Sequence, residues 1–128
     1  MATLITDGVK ISVISNYQPN YSFPEHFHYV FNYEITIENL SNYTIQLLRR
    51  RWLIYDSNGE IREVEGEGVV GQQPILEPGM VHKYISGCNL KTDMGKMCGQ
   101  YLMERYFDGT RFWVKVPDFN LIPSYKNN

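Results

Sequence analysis

The residues most able to do chemistry in this chain form a glycine run, in which Gly66, Gly68 and Gly71 follow the pattern Gly-x-Gly-x-x-Gly. In dinucleotide-binding folds this pattern ends a strand and opens a helix, whose free N–H groups hold a pyrophosphate. Here Pro74 and Pro78 follow the run and no helical hydrophobic period appears, so we expect no helix. The sequence therefore favours a structural role in a sheet, such as positive φ or close backbone packing, over phosphate binding.

Charged residues near the run provide the alternative, an anion site. Arg50 would supply positive charge if it lies close to the glycines. Glu65 and Glu67 would repel a polyphosphate unless Mg²⁺ bridged them. The alternative function is thus a nucleotide- or pyrophosphate-binding protein with at most weak hydrolase activity. In the structural interpretation the same three residues are surface contacts.

Histidines offer a further alternative, a direct divalent-cation site. His26 and His28 are two positions apart, so both rings face one side if the following strand extends back to them. With His82 they would supply three ligands for Co²⁺ or Zn²⁺. Exposed loop histidines are the simpler interpretation, and we expect neither a metal ion nor another cofactor.

Nucleophilic side chains show no catalytic arrangement. The serines lack a Gly-x-Ser-x-Gly turn, and neither cysteine has a recognisable histidine partner, so we expect no catalytic residue and no enzyme. Cys88 and Cys98 lie on either side of a turn at residues 92–95, which predicts neighbouring strands of a hairpin. A disulfide is conceivable there, but cytosolic thiols are kept reduced, so we expect two free thiols.

Strands must position all of these residues. The clearest alternation runs from Tyr29 to Ile37, and the others cover about residues 9–13, 44–56, 61–65, 81–90, 98–107 and 112–116. About seven short strands without helical periodicity predict an antiparallel β-sandwich. Adjacent Leu47 and Leu48 predict a bulge. Pro117 is expected to end the last strand.

Three consecutive arginines occupy positions 49–51 of the second long strand. Successive residues of a strand face opposite sides, so these arginines cannot form one basic patch. We expect ion pairs with Glu34, Glu38 or Glu63, and the alternative is an anion or RNA site.

Composition limits the classes of function. The 128 residues predict one domain, 1–128, with a core at about 9–121. The formal net charge of -2 argues against a dedicated nucleic-acid partner. No apolar run approaches a membrane span and no signal peptide is recognisable, so we expect a cytoplasmic location without membrane insertion.

A series of motifs makes the sequence more specific. In chain order they are Gln46-Leu47-Leu48, Arg50-x-Trp52-Leu53-Ile54, Asn58-Gly59, the glycine run with Gln73-Pro74, Pro78-Gly79, Tyr84-x-Ser86-Gly87 and Gly95-x-Met97-x-Gly99. Together they resemble the ApaG family over about residues 9–121, in its stand-alone bacterial form. Arg49 departs from the pattern, because glycine is common there in the family.

The resemblance implies more than the residues alone. It implies an immunoglobulin-like or fibronectin type III-like sandwich, and a protein-interaction role with an unidentified protein partner. It also implies an indirect link with cobalt resistance and magnesium efflux, and it brings no catalytic residues.

The exposed edges of a small sandwich predict a homodimer formed through a sheet edge or face. Aromatic residues make up 14% of the chain, so some rings are expected at the surface of such an interface. Sedimentation at micromolar concentration should show a species of twice the monomer mass. A monomer alone under these conditions would contradict the prediction.

Overall fold

The computed structural model describes residues 1–126 and contains nine strands. They are β1 (Ala2–Thr6), β2 (Val9–Tyr17), β3 (Tyr29–Asn39), β4 (Ile45–Asp56), β5 (Ile61–Glu67), β6 (Ile75–Leu76), β7 (Val81–Leu90), β8 (Gly95–Arg105) and β9 (Arg111–Leu121). Single turns of 3-10 helix occur at Pro19–Tyr21, Pro24–His26 and Ser124–Lys126. No helix in the described part of the chain is long and apolar enough to cross a membrane.

The strands form two antiparallel sheets around one core. The first sheet has the order β1-β2-β3-β7, and the second has the order β5-β4-β8-β9, with β6 paired to the start of β4. The predicted antiparallel sandwich is confirmed. The seven predicted strands correspond to β2, β3, β4, β5, β7, β8 and β9, while β1 and β6 are additional. β1 was missed because it is a short, half-buried edge strand, and β6 because it has two residues.

β3 is the centre of the first sheet, between β2 and β7. Its residues Phe31, Tyr33, Ile35 and Ile37 are buried, and the residues between them face outward. Burying each such side chain stabilises the fold by about 1.5–3 kcal/mol, so this alternation fixes the register of the strand. The prediction of a central strand here is confirmed.

A bulge in β4 controls which residues face the core. The register with β8 shifts between Leu47 and Arg49, as the two adjacent leucines predicted. Ile45 and Leu47 are buried before the shift, and Trp52 and Ile54 are buried after it. The extra residue therefore changes the phase of the strand and places residue 50 on the inner face.

The turn before β8 does not form the predicted hairpin. β7 and β8 belong to different sheets, so Cys88 and Cys98 do not lie on neighbouring strands. Both thiols are free, and the one at position 88 is buried. The prediction of a hairpin was wrong because residues 92–95 carry the chain from one sheet to the other, and a turn motif does not reveal which sheet the next strand joins.

Pro117 does not end the last strand. β9 continues to Leu121, and its register with β8 shifts between Met97 and Gly99. The shift places Pro117 and the residue after it opposite a single residue of β8, where the missing N–H breaks no regular ladder bond.

Gly99 generates a test of the packing between the sheets. A Cβ at this position would collide with the buried Trp52 ring, so we expect Gly99→Ala to lower the free energy of unfolding by about 1–3 kcal/mol. Gly87→Ala is the control, because its Cβ would meet the Phe31 carbonyl oxygen at an ordinary 3.6 Å, and we expect a change within about 0.5 kcal/mol. Urea denaturation measures both, and equal losses would contradict this account.

Candidate binding site at the open side of the sandwich

Backbone hydrogen bonds fix the conformation of the glycine loop, residues 66–71. The amide of Gly68 donates to the Leu48 carbonyl oxygen at 2.9 Å. Val69 and Gln72 exchange two N–H to carbonyl bonds, of 2.8 and 3.0 Å, across a two-residue turn. Both central residues of that turn have positive φ, 47° at Val70 and 74° at Gly71, as a type I′ turn requires. Three amides of this segment therefore already have acceptors within the chain.

Arg50 lies against the loop, as an anion site would require. Its Nη1 donates to the carbonyl oxygens of Glu67 and Gly68, each at 3.0 Å. The guanidinium covers Gly66, where a Cβ would come within 2.9 Å of Nη1. The loop thus presents carbonyl oxygens to the arginine, and Gly66 leaves the space that the guanidinium needs.

The acidic neighbours of the loop do not line this site. Glu65 and Glu67 are exposed and lie on the face of β5 opposite Gly66. Their cross-strand neighbours are Arg51 and Arg49. Ion pairing by the arginines is confirmed for Glu63, which contacts Arg51 at 3.1 Å. Both partners are nearly half exposed, so the pair contributes little to stability.

A cavity of about 210 Å³ lies beside the loop, between the two sheets. The first sheet contributes residues of β3 and β7, and the second contributes residues of β4 and the loop. Its lining consists of Tyr33, Tyr84, Ser86, Arg50, Trp52, Val69, Val70 and Gly71. On the side of the sandwich away from the cavity, β1 packs against β9. On the side that holds the cavity, the Arg62 side chain of β5 donates a hydrogen bond to the Asn89 carbonyl oxygen of β7. We call this the open side.

Buried tyrosines supply the polar groups of the cavity. The hydroxyls of Tyr84 and Tyr101 hydrogen bond to each other, and Tyr101 is fully buried. An unsatisfied buried donor costs about 1–3 kcal/mol, so Tyr101 is assigned as the donor to its one acceptor, the Tyr84 oxygen. The Tyr84 hydroxyl, which lines the cavity, then keeps its proton for a further acceptor.

Burial also keeps these phenols protonated. It raises the pKa of Tyr84 and Tyr101 well above the ordinary value, because the phenolate would lose its hydration. Burial raises the pKa of Tyr33 as well, and the nearby Ser86 hydroxyl partly offsets that rise. At neutral pH the cavity therefore contains hydrogen-bond donors and one permanent cation.

The sequence did not indicate that the tyrosines and Ser86 belong to the site. Tyr33 and Ser86 are directly opposite each other across β3 and β7. Their inward direction follows from strand alternation, but the pairing of β3 with β7, which are distant in the chain, cannot be read from either strand alone.

The three histidines are not brought together, which corrects the alternative of a cation site. His26 lies in the 3-10 turn Pro24–His26 and is exposed, and His28 forms an isolated bridge with Phe23. His82 is opposite Ile37, which lies eight residues from the start of β3. At the usual rise per residue, His82 is therefore about 26 Å along the strand from the end of β3 that follows His28. Across residues 1–126 there is no group of three potential metal-ligating side chains.

These observations define the class of protein, an immunoglobulin-like sandwich with a small polar cavity between its sheets. Residues 19–105 match the family model described as the ApaG domain, and the chain belongs to the ApaG family. It is 44% identical over 121 residues to Protein ApaG of Brucella suis biovar 1, covering 94% of this chain and 92% of the relative. The resemblance drawn from the motifs is confirmed.

Other relatives agree with that membership. Protein ApaG of Brucella anthropi is 46% identical over 121 residues, with 94% of this chain and 92% of the relative covered. The crystal structure of the putative ApaA protein from Bordetella pertussis is 39% identical and superposes with a TM-score of 0.87, covering 91% of this chain and 94% of that one. None of these names states a reaction or a ligand.

The loop geometry predicts unequal effects of two alanine substitutions. Gly68 and Gly71 both have positive φ, so each replacement should cost about 1–2 kcal/mol of unfolding free energy. Only at Gly68 would the Cβ also collide with the Gln72 carbonyl oxygen, and Gly71 has open space. Urea denaturation should therefore show Gly68→Ala losing at least about 1 kcal/mol more. Equal losses would show that the loop is not held in this geometry.

Proposed function

We propose that this chain is a non-enzymatic binding module whose partner is another protein, held along the free edge of β7. β7 pairs with β3 on one side, and within residues 1–126 no strand pairs with its other side. Apart from the Asn89 carbonyl oxygen, which accepts from Arg62, the N–H and C=O groups on that side are available to an extended segment of the partner, which would join the sheet as a further strand. This free edge is the observation that carries the proposal.

Side chains on β7 indicate what kind of segment fits. Val81 and Ile85 are 48% and 61% exposed on the outer face, with Lys83 between them. A strand laid beside β7 would place its alternate side chains next to these residues. The pattern fits a partner segment with apolar residues at two alternate positions and an acidic residue between them.

The contacts of the glycine loop support a structural role over a nucleotide site on the loop. Amides of Gly68, Val69 and Gln72 donate within the chain, and the Arg50 Nη1 group is occupied by two carbonyl oxygens. A nucleotide or pyrophosphate held on these amides would have to break bonds that the loop already makes. The geometry therefore favours the binding module over this alternative.

The proposal includes the indirect link with cobalt resistance and magnesium efflux. This link rests on the family resemblance alone, because the names of the relatives state no cation. A cytoplasmic location and a homodimer are retained as expectations. A nucleic-acid partner is not proposed, since the net charge of -2 provides no strong attraction for phosphate.

Lysine substitutions on β7 test the partner site. The tagged protein is used to capture proteins from its own cells, and the bound proteins are identified and quantified by mass spectrometry. Val81→Lys with Ile85→Lys should reduce the recovered partner at least about tenfold, because two apolar contacts are lost and edge lysines oppose strand addition.

Ile14→Lys is the matched control. Ile14 is 45% exposed on β2 and lies in the same cross-strand row as Ile85, with Glu34 between them. It shares the outer face of the sheet but lies two strands away from the edge of β7. Partner recovery should stay within about twofold in this variant. Binding at the edge would be contradicted if the β7 double variant recovered as much partner as the unmutated protein. It would also be contradicted if Ile14→Lys lost as much partner as the double variant.

A further inference from the structure

We propose that the cavity between β4, β7 and the glycine loop binds a carboxylate group, with the Arg50 guanidinium as its charged partner and the Tyr84 hydroxyl as a second donor. This site faces the space between the sheets, so it is distinct from the outer edge of β7 and goes beyond the proposed partner binding. It uses neither the loop amides nor Mg²⁺.

Arg50 has binding capacity that the fold does not use. A guanidinium carries five N–H donors, and here Nη1 makes two bonds, to the carbonyl oxygens of Glu67 and Gly68. The groups on Nε and Nη2 have no acceptor among residues 1–126, and none of the ion pairs in that part of the protein involves Arg50. A positive charge without an acidic partner therefore faces the cavity.

The rest of the lining is suited to an anion. No aspartate or glutamate among residues 1–126 lines the cavity. The proton of Tyr84 is free because its oxygen accepts from the buried Tyr101 hydroxyl, and Tyr33 and Ser86 add hydroxyls on the same wall. A preorganised cation with neutral donors around it is the arrangement that stabilises an oxyanion in a partly enclosed site.

Charge and size favour a carboxylate over a nucleotide or phosphate. One guanidinium neutralises one negative charge, and a phosphate dianion would keep a second charge uncompensated between the sheets. The volume of about 210 Å³ is below the range of about 300–1,000 Å³ that is typical of complete small-molecule sites. It accommodates a carboxylate head group, which belongs either to a free small acid or to the carboxyl terminus of a peptide.

Trp52 lines the cavity and provides the signal for the test. The protein has two tryptophans, so a Trp113→Phe background leaves Trp52 as the single reporter. Titration with acetate at constant ionic strength should give a saturable fluorescence change with a dissociation constant of about 1–10 mM, a range suited to a ligand of so few atoms. No saturation up to about 100 mM would overturn the proposal.

Arg50→Gln and Arg51→Gln form a matched pair, because each removes one positive charge from neighbouring positions on opposite faces of β4. Loss of a charged hydrogen-bond donor should weaken acetate binding at least about tenfold in Arg50→Gln. Binding should stay within about twofold of the parent in Arg51→Gln. Unchanged binding in Arg50→Gln, or equal weakening in both, would overturn the assignment.

A measurement on the unmutated protein covers the case in which Arg50→Gln does not fold. Amide chemical shifts should respond to acetate chiefly at Val70, Gly71 and Ser86, and responses centred elsewhere would overturn the site. Inorganic phosphate and ADP with Mg²⁺ are titrated in parallel, and tighter binding of either would overturn the carboxylate assignment.

Two further ligands distinguish the sources of the carboxylate. An acetylated tripeptide with a free carboxyl terminus is compared with its amide. Tighter binding of the acid than of acetate would support the carboxyl terminus of a polypeptide as the natural ligand, and equal or weaker binding would support a small free acid. Binding of the amide as tight as that of the acid would overturn recognition of a carboxylate.

Discussion

The bulge in β4 sets the direction of every later side chain on that strand. Strict alternation from Leu47 would turn residues 49, 51 and 53 toward the core and leave Trp52 outside. With one extra residue, the Trp52 side chain is buried in the core and the Arg50 side chain lies on the same face of the strand. Gly99 of β8 then leaves the space that the Trp52 ring occupies. The core of the second sheet and the cation of the cavity therefore depend on the same backbone irregularity.

An arginine on the inner face of a sandwich must be solvated by the protein or remain near water. Here it lies at the open side, where its Nη1 bonds to carbonyl oxygens of the loop replace part of its hydration. Gly66 and Gly68 make this contact possible, the first by leaving space for the guanidinium and the second by adopting positive φ. The pattern that suggests phosphate binding in the sequence thus accommodates a positive group in the structure.

The parts of the fold that sequence could predict are those with a local cause. Alternation at Tyr29 to Ile37 and the paired leucines of β4 each reflect burial on one face, so the central strand and the bulge were predicted correctly. The hairpin expected between β7 and β8 was wrong because the choice of sheet depends on distant pairing. The cavity depends on the same kind of pairing: Tyr33 and Ser86 are 53 positions apart in the sequence and meet only because β3 and β7 are neighbours.

Pro117 gives the two sheets edges of different character. β9 is the last strand of its sheet, and a proline cannot donate a hydrogen bond to an incoming strand. β1 also packs against β9, so that end of the sandwich is shielded twice from unwanted association. The bulged proline strand thus protects one end of the sandwich against further sheet growth, whereas the other end presents β7 as an edge strand with no proline.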